Sequence, residues 1–147
     1  MTLYLDTSSL VKLYVEEAGS DDVATLVADA ELVVTSTVAY PESRAAFARL
    51  RRDGALSSSA FIAVKRSFER QWTSYLSLEA TGPLCQAAGE LAETYGLRGF
   101  DSVHLASYAD VAQRAAPGDV AFSSFDVRLN EAVTKLNRRL KRKRRQP

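Results

Sequence analysis

Short apolar runs alternate with longer amphipathic segments along this chain. The runs at 3–5, 31–35 and 120–122 are rich in Leu, Val, Tyr and Phe and do not alternate with polar residues, as is typical of strands buried on both faces. Residues 75–78 form one more candidate strand. Because helical segments separate the runs, the pattern predicts an α/β domain with a parallel sheet of about four or five short strands and helices on both faces.

Between the candidate strands, apolar residues recur at every third or fourth position, and this spacing predicts about seven amphipathic helices. Ser20, followed by Asp21 and Asp22, has the character of a helix N-cap with acidic residues in the first turn. Gly96 is a typical helix stop. The predicted helices cover residues 8–16, 20–27, 36–53, 57–72, 84–95, 101–115 and 127–137.

Length and composition restrict the class of protein. A chain of 147 residues with 46% hydrophobic content is large enough for one domain with its own core. No apolar run approaches the roughly 18 residues that span a bilayer, and no signal peptide precedes the first strand, so we expect a cytoplasmic protein without a membrane partner. The single cysteine, Cys85, excludes an intramolecular disulfide and a cysteine-rich zinc site, and we expect it on a helix near the core.

The net charge of +1 conceals an uneven distribution of charge. Seven of the 19 basic residues fall within 138–147, where there is no acidic residue, so residues 1–137 carry a formal charge of about −6. We therefore predict a folded domain over 1–137 and a disordered basic tail over 138–147. Such a tail either keeps the protein soluble or attaches it to nucleic acid phosphates, and the charge alone does not decide between these roles.

Four acidic residues occupy comparable places in the predicted fold. Asp6 follows the first strand, Glu42 lies early in the helix after the second, Asp101 begins a helix and Asp126 follows the last strand. Since parallel strands share one carboxyl edge, we expect these side chains to converge there. A single aspartate at a helix start is more often a helix cap than a metal ligand.

A cluster of four carboxylates is costly without a compensating cation. Oxygen ligands without histidine or thiol favour Mg²⁺ or Mn²⁺ over zinc, and such ions commonly assist chemistry at phosphate groups. No glycine-rich phosphate-binding loop is present, which argues against nucleotide hydrolysis of the P-loop kind. The acidic set therefore predicts a divalent-metal site suited to phosphodiesters.

The chain resembles the PIN-domain ribonucleases, and most closely the VapC-type toxins of bacterial and archaeal type II toxin–antitoxin pairs. The resemblance runs from Thr2 to about Val133, and its most specific part is the segment LRGFDSVHLA. The four matching segments are LYLDTSSLVKLY around Asp6, AYPESRAAF around Glu42, LRGFDSVHLA around Asp101 and FSSFDVRL around Asp126.

The resemblance implies a PIN-like three-layer α/β/α fold and a metal-dependent endoribonuclease that acts as the toxin of a toxin–antitoxin pair. It further implies an RNA substrate, products with 5′-phosphate and 3′-hydroxyl ends, a cognate antitoxin protein and a homodimer. The implied metal ligands and catalytic residues are Asp6, Glu42, Asp101 and Asp126, of which Asp126 is commonly the weakest ligand. The implied supporting residues are Thr7, Ser8 and Ser124.

Several alternatives stay open. A PIN-fold RNA-processing nuclease outside a toxin–antitoxin system fits the same residues, as does a nonenzymatic module that binds RNA or protein. Arg98 and Arg128 each flank a candidate acid and could contact RNA phosphate or pair with a carboxylate. His104 lies three residues after Asp101, but we favour a structural role because one histidine between apolar neighbours does not make a site. The aromatic residues expected to pack in the core, with a partner surface as the alternative, are Phe61, Phe68, Trp72 and Tyr75.

The chain departs from its look-alikes after the last predicted helix. Many relatives continue into a closing apolar strand, whereas Leu136 and Leu140 lie among basic residues here. We therefore expect a sheet with one strand fewer.

Overall fold

Four parallel strands form the centre of the protein. The structure, a computed structural model, describes residues 1–145, and in this range the strands are β1 (Thr2–Leu5), β2 (Leu32–Ser36), β3 (Leu76–Leu78) and β4 (Val120–Ser123). Their order across the sheet is β3-β2-β1-β4, with Leu3 of β1 opposite Val33 of β2 and Ala121 of β4. The predicted parallel sheet of four or five strands is confirmed.

Helices cover both faces of this sheet, as the three-layer prediction requires. Leu3 and Leu5 pack on one face against the first four helices, while Tyr4 and Val34 pack on the other against the last three. The seven helices of the described residues are α1 (Thr7–Val11), α2 (Ser20–Asp29), α3 (Ala39–Arg52), α4 (Ser58–Trp72), α5 (Gly82–Tyr95), α6 (Gly99–Arg114) and α7 (Val127–Arg145).

Aromatic side chains fill the core between α3 and α4. The Phe68 ring is buried, and its centroid lies 5.5 Å from that of Phe47 and 5.4 Å from that of Trp72. Phe61 and Tyr75 are partly buried and pack against the same cluster. Core packing of these aromatics is therefore confirmed.

The first two helices differ from the prediction in their bounds. The helix predicted for 8–16 ends at Val11, because the amides of Lys12, Leu13 and Tyr14 bond three residues back and tighten the last turn. Ser20 was expected to be the N-cap of α2, but Gly19 is the N-cap. The Ser20 hydroxyl instead accepts from the Glu17 amide.

The last helix is longer than predicted. It continues past Asn137 to Arg145, so the prediction of a disordered tail is wrong for residues 138–145; residues 146 and 147 lie outside the described range. Leu136 is buried and Leu140 half-buried, so the apolar stripe of the helix extends into the basic segment. Arg and Lys are also good helix formers, and neither Gly nor Pro interrupts residues 127–145.

Two expectations from the composition concern membranes and the cysteine. Within residues 1–145, no helix is both long and apolar enough to cross a bilayer. Cys85 lies on α5 as predicted, but it is exposed rather than near the core, because it occupies the first turn of the helix, where its thiol donates to the Ala80 carbonyl.

Candidate active site

A cleft of about 760 Å³ opens at the carboxyl edge of the sheet. β1 delivers Asp6 to this edge, α3 and α6 begin there with Glu42 and Asp101 in their first turns, and Asp126 precedes α7. All four carboxylates that the sequence predicted line this cleft. The four side chains therefore share one cleft at the carboxyl edge, as the argument from the strand ends predicted.

Asp6 is the most deeply buried of the four, with 4% of its surface exposed. It is the N-cap of α1 and accepts from the Ser9 amide at 2.9 Å. The hydroxyls of Ser8 and Ser124 also donate to its carboxylate, at 2.7 and 2.5 Å. Burial raises the pKa of Asp6 above its ordinary value, although these hydrogen bonds partly oppose that rise.

Glu42 has two polar partners across the cleft. The Thr7 hydroxyl donates to Glu42 Oε1 at 2.6 Å, and Nε2 of His104 lies 2.9 Å from the same oxygen. Burial raises the pKa of Glu42, but the hydrogen bonds from His104 and Thr7 outweigh it, and the pKa is lowered overall. These contacts hold the carboxylate in its ionised form.

His104 lies at the floor of the cleft and is 1% exposed. The Tyr4 hydroxyl lies 3.0 Å from Nδ1, and burial raises the pKa of Tyr4, so that hydroxyl keeps its proton. The Thr7 hydroxyl already donates to Glu42 and therefore accepts from Nε2 at 3.0 Å. The Thr7 hydroxyl and the Glu42 carboxylate therefore place a hydrogen on Nε2. His104 is structural, as favoured, but it also contacts a predicted site residue, which the sequence did not indicate.

Asp101 and Asp126 share a guanidinium. Nε of Arg98 lies 3.5 Å from Asp101 Oδ2, and Nη2 lies 3.8 Å from Asp126 Oδ2. Asp126 also caps α7 by accepting from the Leu129 amide at 2.9 Å. Burial and then the charge of Asp126 raise the pKa of Asp101, while Arg98 opposes the rise. Of the two alternatives for Arg98, the structure shows carboxylate pairing.

Two phenyl rings at the cleft were missed by the sequence analysis. Phe100 is 56% exposed and Phe125 is 45% exposed, and both line the cleft. The ammonium group of Lys12 lies 4.3 Å from the Phe125 ring centroid. Each ring directly precedes a predicted acid in the sequence, and this adjacency is the signal that could have identified them.

The donors of the cleft suit a hard divalent cation in chemical type, because all four predicted ligands are carboxylates. The four carboxylates are not, however, already arranged to bind one ion together. Within the described residues, no group of three or more His, Cys, Asp and Glu side chains is placed to hold a metal ion. Serine and threonine hydroxyls engage Asp6 and Glu42, and Arg98 bridges the other two acids. Simultaneous ligation requires these side chains to shift.

Comparison with known proteins adds a family and two relatives. The family model for the PIN domain matches residues 3–135. The chain is 39% identical over 105 residues to Ribonuclease VapC45 and to Ribonuclease VapC49, both from Mycobacterium tuberculosis. Each alignment covers 71% of this chain and 73% of the relative.

Proposed function

The chain belongs to the PIN domain family, and from this premise we propose that it is a metal-dependent endoribonuclease acting as the toxin of a toxin–antitoxin pair. Both relatives bear the name ribonuclease. The observation that carries the proposal is the convergence of four carboxylates in one cleft at the carboxyl edge of a parallel sheet. Such a cleft is where α/β folds bind their ligands.

In this proposal the cofactor is Mg²⁺ or Mn²⁺. Asp6 and Asp101 would hold the ion, and Glu42 and Asp126 would complete its surroundings, partly through water. When bound, such an ion lowers the pKa of a water molecule and offsets the charge on the phosphate. Four carboxylates in one cleft repel one another, and a divalent cation relieves that repulsion.

The polar residues around the acids orient them for this task. Ser8 and Ser124 donate to Asp6 and fix the direction of its carboxylate. Thr7 does the same for Glu42 and, with His104, keeps it ionised. We therefore assign supporting roles to Thr7, Ser8 and Ser124, and we add His104 as a positioning residue.

The exposed rings support RNA as the substrate, and specifically a single-stranded segment. Phe100 and Phe125 can stack on bases on either side of the phosphate to be cleaved, since stacking on exposed aromatic rings is a general means of holding unpaired nucleotides. Arg49 also lines the cleft and can contact a neighbouring phosphate.

The family resemblance also supplies the proposed partners. We propose a cognate antitoxin protein, a homodimer and action in the cytoplasm. Co-purification of a co-expressed neighbouring gene product that inhibits RNA cleavage would support the antitoxin, and light scattering of the purified chain measures the dimer. Cleavage that no such product inhibits would instead favour an RNA-processing nuclease.

Cleavage of labelled RNA tests the proposed activity. We expect cleavage with Mg²⁺ or Mn²⁺ that leaves 5′-phosphates, none in EDTA, and a loss of about 100-fold or more in Asp6→Asn and Asp101→Asn. Asp110→Asn is the matched control, because Asp110 lies on the same helix as Asp101 but outside the cleft. Undiminished cleavage in Asp6→Asn or Asp101→Asn contradicts the assignment. RNA binding without cleavage under every metal condition favours the nonenzymatic module.

A further inference from the structure

The last helix carries a row of positive charge on its exposed face. Its opposite face is buried through apolar residues such as Leu129 and Leu136. Four of its exposed basic residues follow one another at intervals of seven, three and four positions, which places these four on one side of a helix. We call this row the basic stripe, and it consists of Arg128, Lys135, Arg138 and Arg142.

The basic stripe begins two residues after a residue that lines the cleft. Asp126 lines the cleft and Arg128 follows two residues later, at the start of α7. Arg142 lies fourteen positions further on, which corresponds to about 21 Å at 1.5 Å per residue. Glu131 lies on the same face between Arg128 and Lys135 and offsets part of the positive charge there. The positive charge of the row is therefore greatest toward its far end, at Arg138 and Arg142.

The charges of the basic stripe are available to a ligand. Within the described residues, none of its four side chains forms an ion pair. The surroundings have the opposite character, because residues 1–137 carry a formal charge of about −6 even with Arg128 and Lys135 included, and the cleft contains four carboxylates. A polyanion approaching the cleft is repelled there and attracted along α7.

We propose that the basic stripe binds the phosphates of single-stranded RNA on one side of the bond that the cleft cleaves. This inference rests on the proposed ribonuclease function and extends its binding site along the surface. At about 3.4 Å per nucleotide of stacked strand, 21 Å corresponds to about six nucleotides. RNA that extends this far from the cleft therefore gains contacts that shorter RNA lacks.

The geometry favours a nucleic acid over other polyanions. A linear row of cations on the helix that follows Asp126 matches a chain of regularly spaced phosphates, and three of the four side chains are arginines, which bind phosphate with two parallel hydrogen bonds. A membrane surface fits poorly as the ligand. The apolar face of α7 is already buried in the core, so its side chains are not available to insert into a bilayer.

Binding of labelled RNA to a noncleaving form of the protein tests the inference. In the Asp6→Asn background, the affinity of RNA of about 5 and about 15 nucleotides is measured by fluorescence anisotropy over a range of salt concentrations. The pair Arg138→Gln and Arg142→Gln should weaken binding of the longer RNA several-fold and leave the shorter RNA unchanged. The slope of log affinity against log salt should fall by about 1.4, for two lost contacts to a single strand.

A matched pair exists on the other face of the sheet. Arg66 and Arg70 are exposed on α4 with the same four-residue spacing, so Arg66→Gln with Arg70→Gln removes the same charge in the same geometry. We expect this control pair to bind both RNAs like the parent protein. Equal slopes for the two pairs overturn the inference, and so does equally tight, stripe-dependent binding of a poly-glutamate peptide.

Cleavage by the otherwise unaltered protein separates the inference from the proposed function. If the unaltered protein cleaves RNA and the two arginine pairs behave alike, the function stands and the inference fails. If the salt slope depends on Arg138 and Arg142 but the unaltered protein cleaves no RNA, the RNA-binding stripe stands and the proposed nuclease fails.

Discussion

His104 on α6 donates from Nε2 to Oε1 of Glu42 on α3, at 2.9 Å, across 62 residues of sequence. The same imidazole is anchored on its other side by Tyr4, the central residue of the buried part of β1. A chain of hydrogen bonds thus connects the core of the sheet to an acid of the cleft. A partner of this kind fixes the orientation and the ionisation of the acid it contacts.

Replacement of His104 should therefore impair Glu42. In His104→Ala we expect kcat/KM for RNA cleavage to fall by about 10- to 100-fold. Without the hydrogen bond that lowers it, the pKa of Glu42 should rise, because burial still acts on the carboxyl. The acid limb of the plot of kcat/KM against pH should consequently move to higher pH.

His104→Gln is the control for this variant, since its amide nitrogen can donate in place of Nε2 and fills more of the buried space. We expect it to recover part of the activity and of the original acid limb. Thermal unfolding of both variants measures how much stability each substitution removes, so that a loss of activity through poorer packing can be recognised. An acid limb that stays at the same pH in His104→Ala would show that His104 does not control Glu42.

The buried carboxylate of Asp6 should lower the stability of the folded protein at neutral pH. Because burial raises its pKa above that of the unfolded chain, ionisation of Asp6 lowers stability at neutral pH, and this penalty disappears as the pH falls through the folded-state pKa. Asp6→Asn should gain about 0.5–2 kcal/mol of unfolding free energy, a rise in Tm of about 2–4 °C per kcal/mol, while abolishing cleavage.

Calorimetry at two pH values checks this assignment. The gain in Asp6→Asn should shrink at about pH 4, because the carboxyl of the unsubstituted protein is increasingly protonated there. Asp110→Asn, on an exposed part of α6, should leave Tm nearly unchanged. A Tm for Asp6→Asn several degrees below that of the unsubstituted protein at neutral pH would show that the serine hydrogen bonds outweigh the cost of burial.

Arg98 should compete with metal ions for the two acids that it bridges. Its distances of 3.5 and 3.8 Å to Asp101 and Asp126 and its 81% exposed side chain indicate a weak, easily displaced pair. Arg98→Gln should therefore lower the dissociation constant for Mn²⁺, measured by calorimetry without RNA, by about two- to fivefold. Arg114→Gln removes a comparable pair with Asp110 away from the acidic cleft and should have no such effect. Weaker Mn²⁺ binding in Arg98→Gln would mean that the guanidinium helps to assemble the site.

The elements that local pattern determines were predicted well. The unalternating apolar runs identified the strands, and the position of Asp6 directly after β1 placed it at the edge of the sheet. Contacts between helices that are distant in sequence could not be predicted from local patterns. The pairing of His104 with Glu42 requires α3 and α6 to face one another, and no local spacing in either helix expresses that relation.

The error in the last helix has a different origin. The basic run suggested mutual repulsion and disorder, yet Leu136 and Leu140 continue the spacing of Leu129 and Val133 into that run. Burial of this apolar stripe against α6 keeps the helix intact, while the basic side chains at 138, 139 and 141–143 are exposed. The spacing of the apolar residues indicated a helix more reliably than the concentration of positive charge indicated disorder.

Gly19 offers a test of how the cleft depends on a loop outside it. Its φ of +91° disfavours other residues, and a Cβ there would lie 2.5 Å from a ring carbon of Phe125. Gly54 has a similar φ of +79° but open space around it, so Gly54→Ala is a control for backbone strain alone. By urea unfolding, both alanine variants should lose about 1–2 kcal/mol of unfolding free energy.

Only Gly19→Ala should also displace the Phe125 ring and lower RNA cleavage, by about fivefold or more if Phe125 stacks on a base. Adding Gly19→Ala to Phe125→Ala should then cause no further loss of cleavage, because the displaced ring is already absent; an additive loss would place the effect of Gly19 elsewhere.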